Sequence, residues 1–325
     1  MSATSPHILA DFSVEIRQYY NRVLLDIGGV DNVFEQFAEK APIPGNQGKS
    51  VQWRRFEKIV VTDGAYTLIE GTAPTDTKVT ISAVSATISQ YGQWSQISDI
   101  LETTAIDPVI VGFTERYGEA MRTGRDIVVR GEFSNATTLQ YAGAAVRVGT
   151  SGTGSVGSGN YMNAAEILEA KRTLARAGAK PIPGYGYICF IHPDNTKDIR
   201  EDPDIVADLR EAGIKGDTNP LFTGDAFKWS GVTFIETNNL NVRSSYGMSG
   251  ADVYEVVMFG KGFYGVTELD ALAASVIVHP RGTGGHSDPL DQKSTIGWKC
   301  AMAAKILNND FGVLINCASS RTPAA

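Results

Sequence analysis

The chain has 325 residues, 42% hydrophobic and 20% charged, and a formal net charge of -7. That length supports two or three units with cores of their own, and a pI near 5.2 excludes a protein that coats nucleic acid by neutralising phosphates. No run approaches the ~18 apolar residues of a membrane span, no secretory signal is expected at the N-terminus, and the widely spaced Cys189, Cys300 and Cys317 fit neither a zinc site nor a disulfide framework, so buried reduced thiols of a cytosolic protein are expected.

Residues 1–45 read as an arm. Ile16, Tyr19, Tyr20, Val23 and Ile27 make one short helical stripe, ended by Gly28 and Gly29; Val30, Val33, Phe34 and Phe37 make another, broken at Pro42–Gly45. Their own segment offers no surface for so many apolar side chains to cover, so they are expected on a neighbouring copy. Residues 46–98 change character. Val51–Lys58 is extended and aromatic-rich. A turn-rich middle follows (Asp63-Gly64, Glu70-Gly71, Pro74), and Lys78–Ser98 reads as a strand or two. From Val79 to Ser98 there is no charged residue; Val79, Ile81 and Ala83 alternate with small polar residues, and Ile88 and Trp94 extend the apolar set. This is a long hairpin with too few large apolar residues for a core of its own, so it is expected to project or to lie on a neighbour. Trp94 is expected near the start of the core.

Asp107–Phe133 reads as one long amphipathic helix, with Asp107 as cap and Pro108 in the first turn. Ile110, Phe113, Tyr117, Ala120, Met121, Gly124 and Val128 make the apolar stripe. Glu115, Arg116, Glu119, Arg122, Arg125, Asp126 and Arg130 occupy the other faces, with Arg122–Asp126 and Asp126–Arg130 at i,i+4 spacing. Unbroken, this helix is roughly 39 Å long at about 1.5 Å per residue, a beam across a core. Gly112, Gly118, Gly124 and Gly131 each cost about 1 kcal/mol of helix propensity and are expected where a neighbouring element packs closely.

Gly149–Asn160 is loop by composition. Asn163 caps a helix to about Ala177 with Ile167, Leu168, Leu174 and Ala175 inward, and Gly178 ends it. Tyr185–Ile191 is a buried strand, His192-Pro193-Asp194 turns into a short helix at Thr196–Arg200, and Val232–Ile235 and Tyr254–Phe259 are further strands. This mixed unit ends near Leu269. The rest returns to β: a strand at Ser275–His279, a Gly-rich turn at Pro280–Ser287, Thr295–Leu307 with Trp298, Ala301 and Ile306, and a last strand at Phe311–Cys317.

Little points to chemistry. Gly152-x-Gly154-x-x-Gly157 matches a dinucleotide fingerprint in letters, but no strong strand feeds it and the next helix starts six residues on. A nucleotide-binding enzyme using loop 149–160 is therefore the minor reading from a different class. His7, His192, His279 and His286 lack metal-ligand spacing, and His192 and His279 precede prolines at strand ends, where turn roles are expected. Asp202 with Asp204 and Asp288 with Asp291 are turn carboxylates. No enzyme, cofactor or metal is expected. An arm and a hairpin that cannot bury themselves imply a homopolymer.

At this point the wording of the chain resembles a known family. VQWRRFEKI (51–59), IEGTAPTDTKVTISAVSATISQYGQWSQISDIL (69–101) with the helix after it, YICFIHPDNTKDIRED (187–202) and SDPLDQKSTIGWKCAMAAKILNNDFGVLIN (287–316) are similar, in order and wording, to major capsid proteins of tailed double-stranded DNA bacteriophages with the Hong Kong 97-like capsid fold. The resemblance implies an α+β chain with an N-terminal arm (1–45), an extended β-hairpin loop (46–98), a peripheral domain (99–148) with a spine helix at 107–132, an axial domain (149–269) and a C-terminal β part of the peripheral domain (270–325). It implies pentamers and hexamers of an icosahedral head around DNA held without sequence-specific binding, a separate scaffolding protein, a portal protein, no membrane, assembly in the host cytoplasm and residence in the virion. An encapsulin-type compartment shell is the close alternative. Trp53, Arg54, Arg55, Ile81, Ile88 and Trp94 are the expected intersubunit contacts. Some relatives cross-link Lys to Asn; Lys49, Lys58 or Lys78 with Asn308, Asn309 or Asn316 are the candidates.

Overall fold

The computed structural model describes residues 33–59, 61, 67–68, 70–72, 78–104, 109–143, 148–149, 156–211, 228–283 and 290–320. In chain order come β1 (Glu39–Lys40), β2 (Ser50–Phe56), β3 (Ile81–Thr87), β4 (Ser89–Ser98), α1 (Asp99–Thr104), α2 (Val109–Phe133), β5 (Leu139–Tyr141) and β6 (Val148–Gly149). They are followed by α3 (Ala164–Ala177), β7 (Tyr187–Ile191), α4 (Pro193–Glu201), α5 (Pro203–Glu211), β8 (Lys228–Trp229), β9 (Val232–Glu236), β10 (Val242–Arg243), β11 (Val253–Phe259), β12 (Tyr264–Glu268), β13 (Ser275–His279), β14 (Lys293–Ile306) and β15 (Gly312–Cys317).

Three sheets organise them. β2 and β3 form an antiparallel hairpin in register from Ser50↔Thr87 to Phe56↔Ile81. One larger sheet runs β1-β12-β14-β13, with β4 also paired to β14, and the other runs β6-β5-β15-β11-β7-β9-β8, with β10 on β11. The hairpin therefore ends at Thr87. β4, expected as part of the extended loop, lies along β14 from Lys293↔Ser98 to Met302↔Ser89. The last strand also crosses the expected division at 269/270, because β15 pairs with β11 inside the larger sheet while β12 pairs with β14 outside it.

Local signals set the ends of the elements. The Asn163 side chain accepts the Glu166 N–H at the start of α3, and Gly178 closes the helix at φ 76, a left-handed conformation that costs glycine nothing. On α3, Ala164, Ile167, Ala170 and Leu174 are buried, whereas Leu168 and Ala175 are exposed. The expected stripe took both neighbours at each turn; the true one is narrower because one strand layer covers it. α2 lays Tyr117, Ala120, Met121 and Val128 on the core, with β14 and β4 beneath it, while Phe113 of the expected stripe is exposed. The Tyr117 hydroxyl reaches Ser95, and the Trp298 ring lies where a Cβ on Gly124 would come within 2.9 Å. Gly112, Gly118 and Gly131 meet nothing within 4 Å, so close packing explains Gly124 and not the other three. The Asp107 cap and Pro108 lie outside the described residues, as do the arm's first stripe, residues 150–155 of the Gly-rich loop and Asp288.

The core joins both larger sheets to α2 through aromatic rings. Phe34 meets Phe190 at 4.9 Å and Phe133 at 5.6 Å between ring centroids, and Phe133 meets Tyr264 at 5.0 Å. This corrects the reading of the arm. Phe34 has no exposed surface and belongs to this chain's own core, and 33–38 is a turn rather than a helix. Cys189, Cys300 and Cys317 are buried free thiols, and burial pushes all three up from the ordinary thiol range.

Two substitutions test this packing. Phe34→Ala should cost about 3–5 kcal/mol in urea unfolding, because it empties the ring cluster; an arm residue resting on a neighbour would cost almost nothing in the isolated subunit. Gly118→Ala, in open space on a helix, should raise the unfolding free energy by up to about 1 kcal/mol, while Gly124→Ala, against Trp298, should lower it.

Candidate assembly surfaces

The expected contact residues fall on two surfaces rather than one. In the hairpin, alternation divides the side chains. Val51, Trp53 and Val84 are half-buried and Ala86 is buried, all turned to the body of the chain; Arg54, Phe56 and Ile81 are exposed on the other face. Trp53 rests on β12, where a Cβ on Gly265 would come within 3.0 Å of the indole. Arg55 is tied locally, its Nε donating to Glu57 Oε1 at 3.0 Å and Ser82 Oγ at 3.1 Å. The Ser82 hydroxyl, followed by Arg55, holds the exposed Glu57 carboxyl below its ordinary range. Ile81 is 57% exposed opposite Phe56, which is 75% exposed. Behind the hairpin, a groove of about 770 Å³ separates Trp53–Lys58 from Ala177, Gly178, Asn308 and Asp310.

Ile88 sits at the joint between β3 and β4, half-buried, its N–H donating to the Lys49 carbonyl at 2.8 Å. Trp94 lies on the second surface, the face of β4, β14 and β13 turned away from α2. Strand alternation explains its position: Ser95 and Ile97 point to the helix side, so Trp94 points out, 69% exposed. The expectation that Trp94 approaches the core is thus corrected. Gly297 stands directly across from it on β14, and Ile277, 40% exposed, follows on β13. The sequence reading passed over these two residues. A glycine inside an otherwise bulky strand, Thr295-Ile296-Gly297-Trp298, was the available signal.

Between these surfaces, α2 carries a cluster of charged side chains that fastens distant segments. Asp126, only 1% exposed, accepts the Phe34 N–H at 2.9 Å and the Asn239 Nδ2–H at 3.2 Å. Arg125 donates to both Glu35 oxygens at 2.8 and 3.0 Å and pairs with Glu268 at 3.0 Å. Arg130 Nη1 donates to the Asn239 carbonyl and side-chain oxygens at 2.9 and 2.8 Å. Asp126 is therefore no partner in a surface i,i+4 ladder: the chain before and after Phe34 closes over that face of the helix. The clasp is continued by Tyr264 donating its hydroxyl to the Phe34 carbonyl and by β1 pairing with β12.

His192 caps α4 by accepting the Asp194 N–H at 3.2 Å, and His279 ends β13. Among the described residues, no group of three or more His, Cys, Asp or Glu could hold a metal ion. The family model of phage capsid proteins matches residues 81–315. The chain belongs to this family. It is a major capsid protein, a structural chain of a bacteriophage head. Its fold is that of solved phage capsids. The capsid of Helicobacter pylori bacteriophage KHP30 aligns over 97% of this chain and 99% of its own with a TM-score of 0.73 at 10% identity. The capsid of cyanophage Pam1 aligns over 99% and 100% with a TM-score of 0.71 at 14% identity, and that of cyanophage P-SCSP1u over 98% and 97% with a TM-score of 0.70 at 15% identity. No curated protein matches the sequence.

Both assembly surfaces fall at least partly inside the matched span, and so does the Asp126 clasp. Burial, opposed by the hydrogen bonds from Asn239 and Phe34, pushes Asp126 up from 3.8 to about 6. A carboxyl raised in this way contributes its stability in full below the ordinary value and loses it as pH rises through about 6. Asp126→Asn removes the titration at nearly constant shape. Its melting temperature should vary less than the parent's between about pH 4.5 and 7.5 in calorimetry; parallel profiles would remove Asp126 from the pH response.

Proposed function

We propose that this capsid protein has the Hong Kong 97-like arrangement and builds the icosahedral head through pentamers and hexamers. In this reading α2 is the spine helix, and the sheet of β1, β12, β14, β13 and β4 is the peripheral unit. The sheet around β11 and β7, with α3, α4, α5 and the returning β15, is the axial unit. The β2–β3 hairpin is the extended loop that reaches a neighbouring subunit. Residues 1–32 remain the proposed arm, with the strap from Val33 onward belonging to the folded subunit. A separate scaffolding protein and a portal protein complete the assembly in the host cytoplasm, and the head encloses double-stranded DNA without reading its sequence. The acidic balance of the chain supports this last point, since phosphate neutralisation cannot hold the DNA to the wall.

One observation carries the reading: a family that forms shells, and a chain whose β4 has a bare tryptophan and no charge. A large exposed apolar surface on a soluble chain marks a contact. Trp94→Glu should leave a folded subunit by circular dichroism, because the ring makes no core contact, yet abolish shells in negative-stain microscopy. A charge enclosed between copies meets a desolvation cost of several kcal/mol, repeated at every copy. Ile88→Asp, at the half-buried joint, should lose stability as well as assembly. Normal shells from Trp94→Glu would sink the assignment of this face to assembly.

A further inference from the structure

Three carboxyl groups meet where the strap crosses α2: Asp126 on the helix, Glu35 on the strap and Glu268 on β12. Two guanidinium groups stand beside them, and both are turned elsewhere. Arg125 donates to Glu35 and pairs with Glu268, and Arg130 Nη1 donates to the uncharged Asn239. Arg122, one turn earlier on the helix, is exposed. Tyr264 of β12 and Cys300 of β14 are the other titratable groups at the cluster, and burial holds both in the protonated form. Asp126 is thus enclosed with neutral partners alone: the Phe34 N–H at 2.9 Å, the Asn239 Nδ2–H at 3.2 Å and the backbone at Val33. The Glu35 charge nearby adds repulsion. A carboxyl in such a place is relieved by taking a proton.

What covers Asp126 is the strap itself. Past Glu35 the strap runs along β12, with the Ala41 N–H on the Val266 carbonyl at 3.1 Å and the Ile43 N–H on the Glu268 carbonyl at 2.8 Å. It then leads into the β2–β3 hairpin. The Trp53 ring and the Glu39 carbonyl close on one spot of β12, at 3.0 and 3.2 Å from where a Cβ on Gly265 would sit. The strap and the root of the hairpin therefore share a footing. We propose that Asp126 is a protonation-operated latch: neutral, it fastens residues 33–43 to α2; ionised, it lets this segment open far more often as a local unit, with both sheets still folded. Short segments of this kind open independently of the global transition. The latch is a property of the single subunit and does not depend on the assembly reading. In the open strap the carboxyl meets water and titrates at its ordinary 3.8; enclosed, it titrates at about 6. Closure is therefore strongest below 3.8, weakens across that interval and is weakest above about 6.

Amide hydrogen exchange of the full-length subunit, read by peptide mass spectrometry and corrected for the intrinsic effect of pH, tests the latch. Protection in 33–43 should fall on the order of twentyfold between pH 4.5 and 7.5, while protection in β11 changes by less than about twofold. An unchanged strap would overturn the latch, and so would an equal loss in β11, which would report a loosening of the whole subunit. Asp126→Asn should leave strap protection flat across this range; a persisting fall would assign the response to another group. Glu35→Gln should keep the fall and move its midpoint to lower pH, because one source of repulsion on Asp126 is gone. A flat profile in Glu35→Gln would make Glu35 the titrating group and overturn the proposal. Should Asp126→Asn fail to fold, the parent profile and Glu35→Gln still decide.

Discussion

Three segments far apart in sequence, the strap at Phe34, the chain after β9 and β12, are fastened to one turn and a half of α2. Asp126 is the unusual member, a carboxyl group held out of water by backbone hydrogen bonds from the strap and a side-chain amide. Taking an ion out of water costs several kcal/mol, and the cost is offset here by what the contacts do together. The Phe34 N–H fixes the incoming strap, and Asn239 fixes the segment after β9. Arg130 gathers the other side of Asn239, and Arg125 binds Glu35 and Glu268 at the strap and at β12. The sheet that holds β12 and the larger sheet therefore share an anchor on the helix.

That anchor also explains how the aromatic core is ordered. Phe34 is carried into the cluster by a backbone hydrogen bond at its own amide, so the ring enters at a fixed angle between Phe133 and Phe190. Rings from the strap, the helix, β7, β11 and β12 then meet edge to face or stacked, with no single element supplying the core. Such a core draws on both sheets at once. In contrast, the hairpin contributes little beyond Trp53 on Gly265 and Ala86, which leaves its outer face free for other contacts.

The sequence made the repeating parts legible. The long helix, the capped α3, the buried strands at Tyr187–Ile191 and Val253–Phe259, and the closing β15 follow from periodicity and from Asn163 and Gly178, which act within a few residues. It did not make the partners of those parts legible. Asp126 reads as a surface charge because i,i+4 spacing to Arg122 and Arg130 is a local pattern, whereas its burial comes from a strap ninety-two residues earlier in the chain. Phe34 reads as an arm residue for the same reason. β4 reads as part of a projecting hairpin because it holds few large apolar residues, and only the ten-residue pairing with β14 places it in a sheet of the body. Of the six expected contact residues, Trp53 turns to its own chain, Arg55 is occupied by Glu57, and Ile88 sits in a joint; Arg54, Ile81 and Trp94 face outward. Alternation could have sorted the hairpin residues, had the register been known.

The enclosed thiols have a consequence for the lifetime of a particle. A thiol exchanges or oxidises as its thiolate and on contact with a reagent, and Cys189, Cys300 and Cys317 are denied both. The subunit can pass from reducing to oxidising surroundings with these three thiols unchanged. A wall of many copies multiplies any chemical lesion by its copy number, so chemical inertness per copy sets how long the whole remains sound.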